Sequence, residues 1–495
     1  MKTQNRIATL VNSRFYPLLL FLASFVFVTL FSRATSFLYV FEGADPSVFK
    51  QMGLAVLRGK TLYIDYFDNK GCILYFIQAL GLWLGGDFFI LLMQAVSLTV
   101  TLVIWDKMLA LYRNENQRLV CLAIALVMLL CFYSAGDQTQ EWCLPFISYP
   151  LLVHFRAYKT NTEIRPLQMF IIGFCFGIIT FIQINNACAF LGFIAYLWIQ
   201  YLLKKDFGKL FQSIGCFVAG WMVIAVPCML YFYIKASWHG VYEMTYASLL
   251  SNFEYIGAKL NKILYLTIPY YLFLTVLTLL QIINLHKEKD LLIPMLISLV
   301  LFVATFGTLG NMYYLMAILP LCIVGMMTIR FTENKSIKSW LLGLIILCMA
   351  YYSFNPLLHF VEDLVLQKEK ELVIYEDFHH CIENIPEKER DSIFNYNLLS
   401  AGTSMMQHEK LMQCNRVLFT SLVFTLPTLY HEETNKPFTD PKWIMFTTGK
   451  NYVKNDINYI LENYELSCSF RYDKMYSKKL GIGDVFDVYF YRRKD

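Results

Sequence analysis

Charge is scarce in this chain. Of its 495 residues only 16% are Asp, Glu, Lys or Arg, where a soluble protein carries about 25%. Hydrophobic residues make up 57%, and the mean hydropathy is +0.47. An ordinary soluble domain is excluded. No C-x-x-C or Cys/His metal pattern of zinc-site spacing appears. The phosphate-cradling glycine motifs of nucleotide-binding folds are also missing. The net charge of +5 is spread among loops, a pattern that reports membrane orientation and not nucleic acid binding. Of thirteen cysteines, ten fall in apolar segments, where a thiol packs as a small hydrophobe. Cys381, Cys414 and Cys468 lie far apart near the C-terminus. They read as inert thiols, or as one disulfide with an odd thiol left over.

What is present is a series of apolar runs near the ~20-residue bilayer length, recurring from Phe15 to about Asn355. The chain is read as a polytopic membrane protein. Basic residues precede the first run and no A-x-A-like cleavage site follows, which suits a retained signal-anchor. Lys2, Arg6 and Arg14 put the N-terminus in the cytoplasm. Placing the later basic clusters inside as well gives spans near 119–134, 142–155, 167–184, 189–203, 211–234, 261–285, 291–309, 313–330 and 339–355. Residues 72–111 must supply an odd number of crossings, yet Gly85-Gly86-Asp87 divides them. Treating Cys72–Leu84 as a shallow or re-entrant segment gives eleven crossings and leaves residues 357–495 outside.

That last segment differs in kind. Its charge density rises, and Val373–Tyr375, Ile393–Tyr396, Trp443–Thr447 and Val485–Tyr491 read as strands, with Val453–Tyr464 an amphipathic helix. The expected organisation is an all-α transmembrane domain over 1–356, of about 11–13 helices, followed by a small extracytoplasmic α/β domain over 357–495.

The polar residues gather on the external rim. The first loop, 34–71, holds Asp45 in G-A-D-P and then Asp65, Asp68 and Lys70 in Y-I-D-Y-F-D-N-K-G. Between them Phe49, Met52, Ala55, Val56 and Leu57 recur at helical spacing, as in an amphipathic helix on a membrane surface. Asp45 fits the N-cap of that helix, which would start at Pro46, and equally a carboxylate facing a cavity. Asp65 and Asp68 could share the face of a helical turn and hold a divalent cation or sugar hydroxyls; a solvated turn is the plainer alternative. Glu141 stands at the mouth of a span, where an unpaired acid is costly. Gln183, Asn185 and Asn186, then Tyr313 and Tyr314, complete a polar ring. The loop 236–260 adds His239, Glu243 and Glu254.

In order along the chain, these features resemble the polytopic glycosyltransferases of the GT-C fold. The likeness is to bacterial relatives of protein O-mannosyltransferase and of the lipid A aminoarabinose transferase. It rests on Asp45, Gly53 to Gly59, Tyr63 to Gly71, Ala79 to Gly81, Thr139 with Glu141, Asn185-Asn186, and the aromatic segment from Tyr313 to Pro320. The resemblance implies sugar transfer from a polyprenyl-phosphate donor to a lipid, glycan or protein acceptor at a bacterial cytoplasmic membrane. It implies Asp45 as general base and Lys70 as a phosphate contact. Asp65, Asp68 and Glu141 would bind sugar, acceptor or a divalent metal, with Asn186 and Tyr314 as further substrate contacts. Gln183 replaces an Arg, Tyr313 or Tyr314 a His, and Lys70-Gly71-Cys72 a K-G-P of that family, departures that bear on the donor phosphate. A flippase or polymerase for lipid-linked sugars is the alternative class. A transporter would place ionisable groups near the bilayer midplane, whereas here the span interiors are nearly free of charge.

Overall fold

The computed structural model describes residues 11–34, 43–133, 136–252, 288–306, 312–328, 368–396, 400–414, 416–417, 441–447, 454–477 and 482–494, with isolated positions between 254 and 285. The expected spans at 261–285 and 339–355, and the boundary at 356, lie outside the described residues or nearly so.

The protein is a multi-pass bundle of helices with a small C-terminal sheet. Its helices are α1 (Tyr16–Phe31), α2 (Ala44–Leu57), α3 (Cys72–Gly85), α4 (Asp87–Leu109), α5 (Glu115–Phe132), α6 (Thr139–Thr160), α7 (Pro166–Gln183), α8 (Cys188–Leu203), α9 (Phe207–Thr245), α10 (Lys289–Phe306) and α11 (Leu319–Thr328). Among the described residues, five stretches are long and apolar enough to cross a membrane: α4, α5, α7 through α8, α9 with its extension to Leu250, and α10. Their outward faces carry exposed aliphatics at helical spacing, such as Val120, Ile124 and Val127 on α5 and Met222, Val226 and Leu230 on α9. Side chains of that kind on an outer face fit lipid and not water.

Helix α3 is short, and Gly86 with φ +71 turns the chain directly into the full-length α4. The division expected at Gly85-Gly86-Asp87 is therefore a break between a short helix and a spanning one. Helix α9 runs past Pro227 and breaks at Ala236–Ser237, where Ser237 has φ 56 and ψ −151. The expected span end at 234 falls at that break. Near the basic end of α4, Asp106 accepts from the Arg118 guanidinium on α5 and from Tyr16 on α1 (3.4 Å), which pins three helices together.

Helix α2 departs from the surface-lying helix that its periodicity suggests. Val48, Phe49, Met52 and Ala55 are buried, and so are Lys50 and Gln51. The reason is Gly53: a Cβ there would lie 2.7 Å from Gln78 Cβ, so only glycine lets α3 pack this closely. The other side of α2 is covered by α13 (Ser400–His408) of the C-terminal segment, with Gln51 Nε2 donating to Leu411 O (2.7 Å).

The C-terminal segment forms a four-stranded sheet, β1 (Ile393–Tyr396), β2 (Trp443–Thr447), β3 (Tyr464–Ser477) and β4 (Ile482–Arg493), in the order β1-β2-β4-β3. The first two strands pair parallel, the others antiparallel. Trp443 and Met445 face α12 (Lys368–Glu383), while Ile444 and Phe446 pack with Ile460 of α14 (Lys454–Asn463), so both faces of β2 are buried. The segment Val373–Tyr375, expected as a strand, is part of α12. Ile374, Phe378, Cys381 and Ile382 are buried at helical spacing, while Leu372 and Val373 are exposed. Cys381 and Cys468 form a disulfide joining α12 to β3, and Cys414 is a free thiol.

Helices α7 and α9 cross through glycines. A Cβ on Gly173 would overlap the Phe217 carbonyl, and one on Gly220 the Phe170 carbonyl. Small residues of this kind let membrane helices gain packing contact that lipid cannot supply. Each of Gly173→Ala and Gly220→Ala should destabilise the protein by about 1–3 kcal/mol through overpacking. Thermal melts of the purified variants check this; unchanged midpoints would mean the crossing is looser than the structure shows.

Candidate active site

The site is built where the first loop meets the ends of α3, α6 and α7. Asp45 is in the first turn of α2, with Gly43 as N-cap. The helix thus begins two residues before the expected Pro46, and Asp45 is not its cap. Its carboxylate is freed from that duty, although the helix N-terminus still favours negative charge there. It is half-buried, beside Lys70 and Asp68, and accepts from the Gln138 side chain. Burial pushes its pKa above the ordinary carboxylate range; Lys70 opposes that shift, Asp68 adds to it, and the Gln138 bond opposes it.

The second half of the loop is a tight turn and not a turn of helix. Tyr63 takes φ 68, and its amide donates to Tyr66 O (2.6 Å). This geometry separates the two acids that helical spacing would have paired. Asp65 is exposed and accepts from the Thr61 amide (2.6 Å), whereas Asp68 is buried and accepts from Tyr75 of α3 (2.7 Å). The expected shared carboxylate face for a cation or a sugar is therefore not formed. No group of three or more His, Cys, Asp or Glu side chains suited to a metal occurs among the described residues.

Lys70 is fixed by its neighbours. Its carbonyl accepts from Tyr63 OH (2.8 Å), and its ammonium donates to Asn69 Oδ1 (2.6 Å). Gly71 then donates its amide to Ile182 O at the end of α7 (2.9 Å), and any Cβ on it would overlap the Phe181 backbone. Glycine is the residue that permits this approach.

The polar island before α6 forms the opposite wall. Gly136 (φ +74) and Asp137 (φ 56) make a turn. The Asp137 carboxylate accepts from Gln78 Nε2 at 2.7 and 2.8 Å and from Trp142 Nε1 at 2.6 Å. Burial raises its pKa to about 7 against those donors and the field of Lys50. Glu141 is 2% exposed and accepts from Tyr133 OH (2.9 Å), with the Asp137 and Gln138 backbone amides beside its carboxylate. Its Oε2 has no hydrogen-bond partner. Gln183 accepts from Thr139 and from Gln140 (3.2 Å), which ties α7 to α6. Asn186 is buried beside Cys143 (3.5 Å), with Oδ1 unpartnered. Tyr314 is buried on a 3-10 turn, Met312–Ile318, that packs against α6; it stacks on Phe306 and accepts from Tyr313 OH (3.0 Å).

The structure thus brings together Asp45, Asp68, Lys70 and the 137–142 turn, and leaves Asp65 out. Sequence reasoning missed Lys50, which is fully buried and paired with Asp87 at the start of α4 (2.7 Å). A single charge on the apolar face of a short helix was the available signal.

A family model described as the putative competence-induced protein Ccs4 N-terminal domain matches residues 3–339. No curated protein matches the chain. Among solved structures, ArnT from Cupriavidus metallidurans, bound to undecaprenyl phosphate, is similar with TM-score 0.53 and 11% identity over 96% of this chain and 98% of that one. The apo oligosaccharyltransferase of Archaeoglobus fulgidus follows with TM-score 0.49 and 9% identity, over 88% and 70% of the two chains. The fold of the present chain is GT-C.

The buried Asp137 makes stability depend on pH. Its native pKa of about 7 exceeds the unfolded value of about 3.9, so folding favours the neutral acid. That stabilisation is whole below pH ~4 and is lost as pH rises through ~7. The neutral Asp137→Asn variant should lack this slope, and wild-type Tm should fall relative to it between pH 5 and 8. Parallel Tm profiles for the two proteins would show that Asp137 is ionised throughout.

Proposed function

From a chain that belongs to the family of putative competence-induced Ccs4 proteins and folds its helices in the GT-C manner, we propose a membrane glycosyltransferase with Asp45 as its general base. The observation that carries the reading is the meeting of Asp45, Asp68 and Lys70 at one loop, with Asp45 half-buried and its pKa raised. A general base is most effective when its pKa approaches the working pH. Burial supplies the shift, and Lys70 limits it.

In the proposed reaction the acceptor hydroxyl attacks the anomeric carbon of a polyprenyl-phosphate sugar. Its proton passes to an Asp45 oxygen as the new C–O bond forms. The bond from the anomeric carbon to the phosphate oxygen breaks, and the lipid phosphate leaves with that electron pair. Lys70, a cation fixed through its own backbone, would stabilise the departing phosphate. That the fold neighbour ArnT was solved with undecaprenyl phosphate supports a lipid-phosphate donor. Asp68, Glu141, Asn186 and Tyr314 remain candidates for sugar or acceptor contacts. Of these, the unpartnered acceptor atoms of Glu141 and Asn186 suit hydroxyl donors. Asp65 is assigned to the solvated turn.

The C-terminal domain, residues 357–495, is assigned to the extracytoplasmic side of a bacterial cytoplasmic membrane. The Cys381–Cys468 disulfide supports that side, because such bonds persist in oxidising compartments. Contacts between this domain and the first loop support a common face for both.

The test is transfer by purified protein from undecaprenyl-phosphate hexose to membrane extract, followed by mass analysis. Asp45→Asn keeps the shape and removes the base, so turnover should fall about 10²–10⁴-fold with folding retained. The ionised base is the active form. Wild-type rate should therefore rise with pH through an ionisation above the usual carboxylate range, and Lys70→Met should move that limb higher. A well-folded Asp45→Asn protein that transfers at the wild-type rate would remove Asp45 from the role.

A further inference from the structure

Residues 410–414, 416 and 417 of the C-terminal domain are laid along the first loop. Tyr66 OH donates to Gln413 O (2.8 Å), and the Phe67 amide donates to Arg416 O (2.6 Å). Arg58 donates to Lys410 O (2.7 Å) and pairs with Asp391 (2.6 Å). Met412 and Val417 are buried in the same core as Phe67 and Tyr63, and a parallel bridge joins Val417 to Phe67.

At the centre of this seam is Arg416. Its Nη2 donates to Tyr63 O (3.2 Å) and to Glu243 Oε2 on α9 (3.1 Å), and its guanidinium lies 5.6 Å from the centre of the Phe67 ring. Three parts of the chain meet on one side chain: the first loop, the α9 segment beyond the break at Ser237, and the C-terminal domain. Both charged groups are largely shielded, the Arg416 side chain being 19% and that of Glu243 9% exposed. A planar guanidinium can bond a carboxylate and a carbonyl while stacking on a ring, which an ammonium cannot do. From Tyr63 the contacts continue inward: its hydroxyl holds the Lys70 carbonyl, and its ring lies 6.1 Å from that of Tyr75, which holds Asp68.

We infer that Arg416 is a positioning residue of the transfer site, through which the C-terminal domain sets the loop that presents Asp68 and Lys70. Arg416 touches no reacting atom; it acts through Tyr63 and Phe67. The inference rests on the glycosyltransferase reading for its catalytic consequence, but the clamp itself is a property of the fold.

Two measurements on the full-length protein test it. The first is hydrogen exchange of the 61–71 amides in wild type, Arg416→Met, Arg416→Lys and Glu243→Gln. The second is steady-state transfer from undecaprenyl-phosphate hexose. Arg416→Met should speed exchange across 61–71 about tenfold or more. It should lower kcat about 10- to 100-fold with donor KM changed less than about threefold, a spread typical of misplaced catalytic groups. Arg416→Lys should recover part of both effects, since it keeps the charge opposite Glu243. Glu243→Gln should reproduce the loosening in milder form, and it tests the clamp should Arg416→Met fail to fold. Faster exchange with unchanged kcat, or lower kcat with unchanged exchange, would overturn the assignment. If wild type transfers no sugar while Arg416→Met still loosens the loop, the enzymatic reading fails and the clamp survives.

Discussion

The rim of the bundle depends on one backbone contact, the seat of Gly71 against Phe181 and Ile182. No side chain fits there, and the Gly71 amide is bonded to Ile182 O. The contact fixes the start of α3 against the end of α7. From that register Tyr75 reaches Asp68, and one turn further along Gln78 reaches Asp137. On the α7 side the next residue, Gln183, receives Thr139 and Gln140 of α6. Two walls of the site are therefore aligned by a glycine that carries no chemistry itself.

A loop folded this deeply meets a second constraint. Its buried backbone groups need partners, and the loop is too irregular to supply them all from within. The C-terminal segment supplies several. It accepts from the Phe67 amide, from Tyr66 and from Gln51, and Arg416 donates to the Tyr63 carbonyl. Leaving such groups unpaired costs about 1–3 kcal/mol each, so the segment that satisfies them is part of the loop's stability. This also explains why α2 is buried. A helix with Lys50 and Gln51 among its apolar residues could lie on a membrane, but here α13 and α3 cover it, and Lys50 is neutralised by Asp87.

Much of this was legible in the sequence. Bilayer-length apolar runs gave α5, α7, α8 and α10 closely, because lipid imposes a single strong pattern on them. The strands at Ile393–Tyr396 and Trp443–Thr447 were equally plain, being short apolar runs between polar ends. Val373–Tyr375 misled because three apolar residues in a row do not reveal a period; the buried positions 374, 378, 381 and 382 do. Strand β3 went unseen because its residues are largely polar and its pairing is shifted at Leu466/Cys468 and Met475/Ser477. At the site, the spacing of Asp65 and Asp68 suggested a common face, and the positive φ of Tyr63 removed it. The contacts of Gln51 and Arg416 join positions some 350 residues apart. No local pattern carries such information.

Burying acids beside one another sets the electrostatics of the whole region. Two charges brought into low dielectric cost several kcal/mol apiece unless paired, and like charges raise one another's pKa. The fold answers differently for each group. Glu243 is given Arg416, and Asp87 is given Lys50. Asp137 receives three hydrogen bonds, and burial still pushes its pKa up to about 7. Asp45 has Lys70 and the Gln138 bond to set against burial and Asp68. Its charge state thus rests on a lysine of the loop and not on a buried ion pair. Anything that draws Lys70 away, a phosphate included, strengthens the affinity of Asp45 for a proton. The balance of burial against Lys70 is therefore what makes the charge of Asp45 responsive to its surroundings.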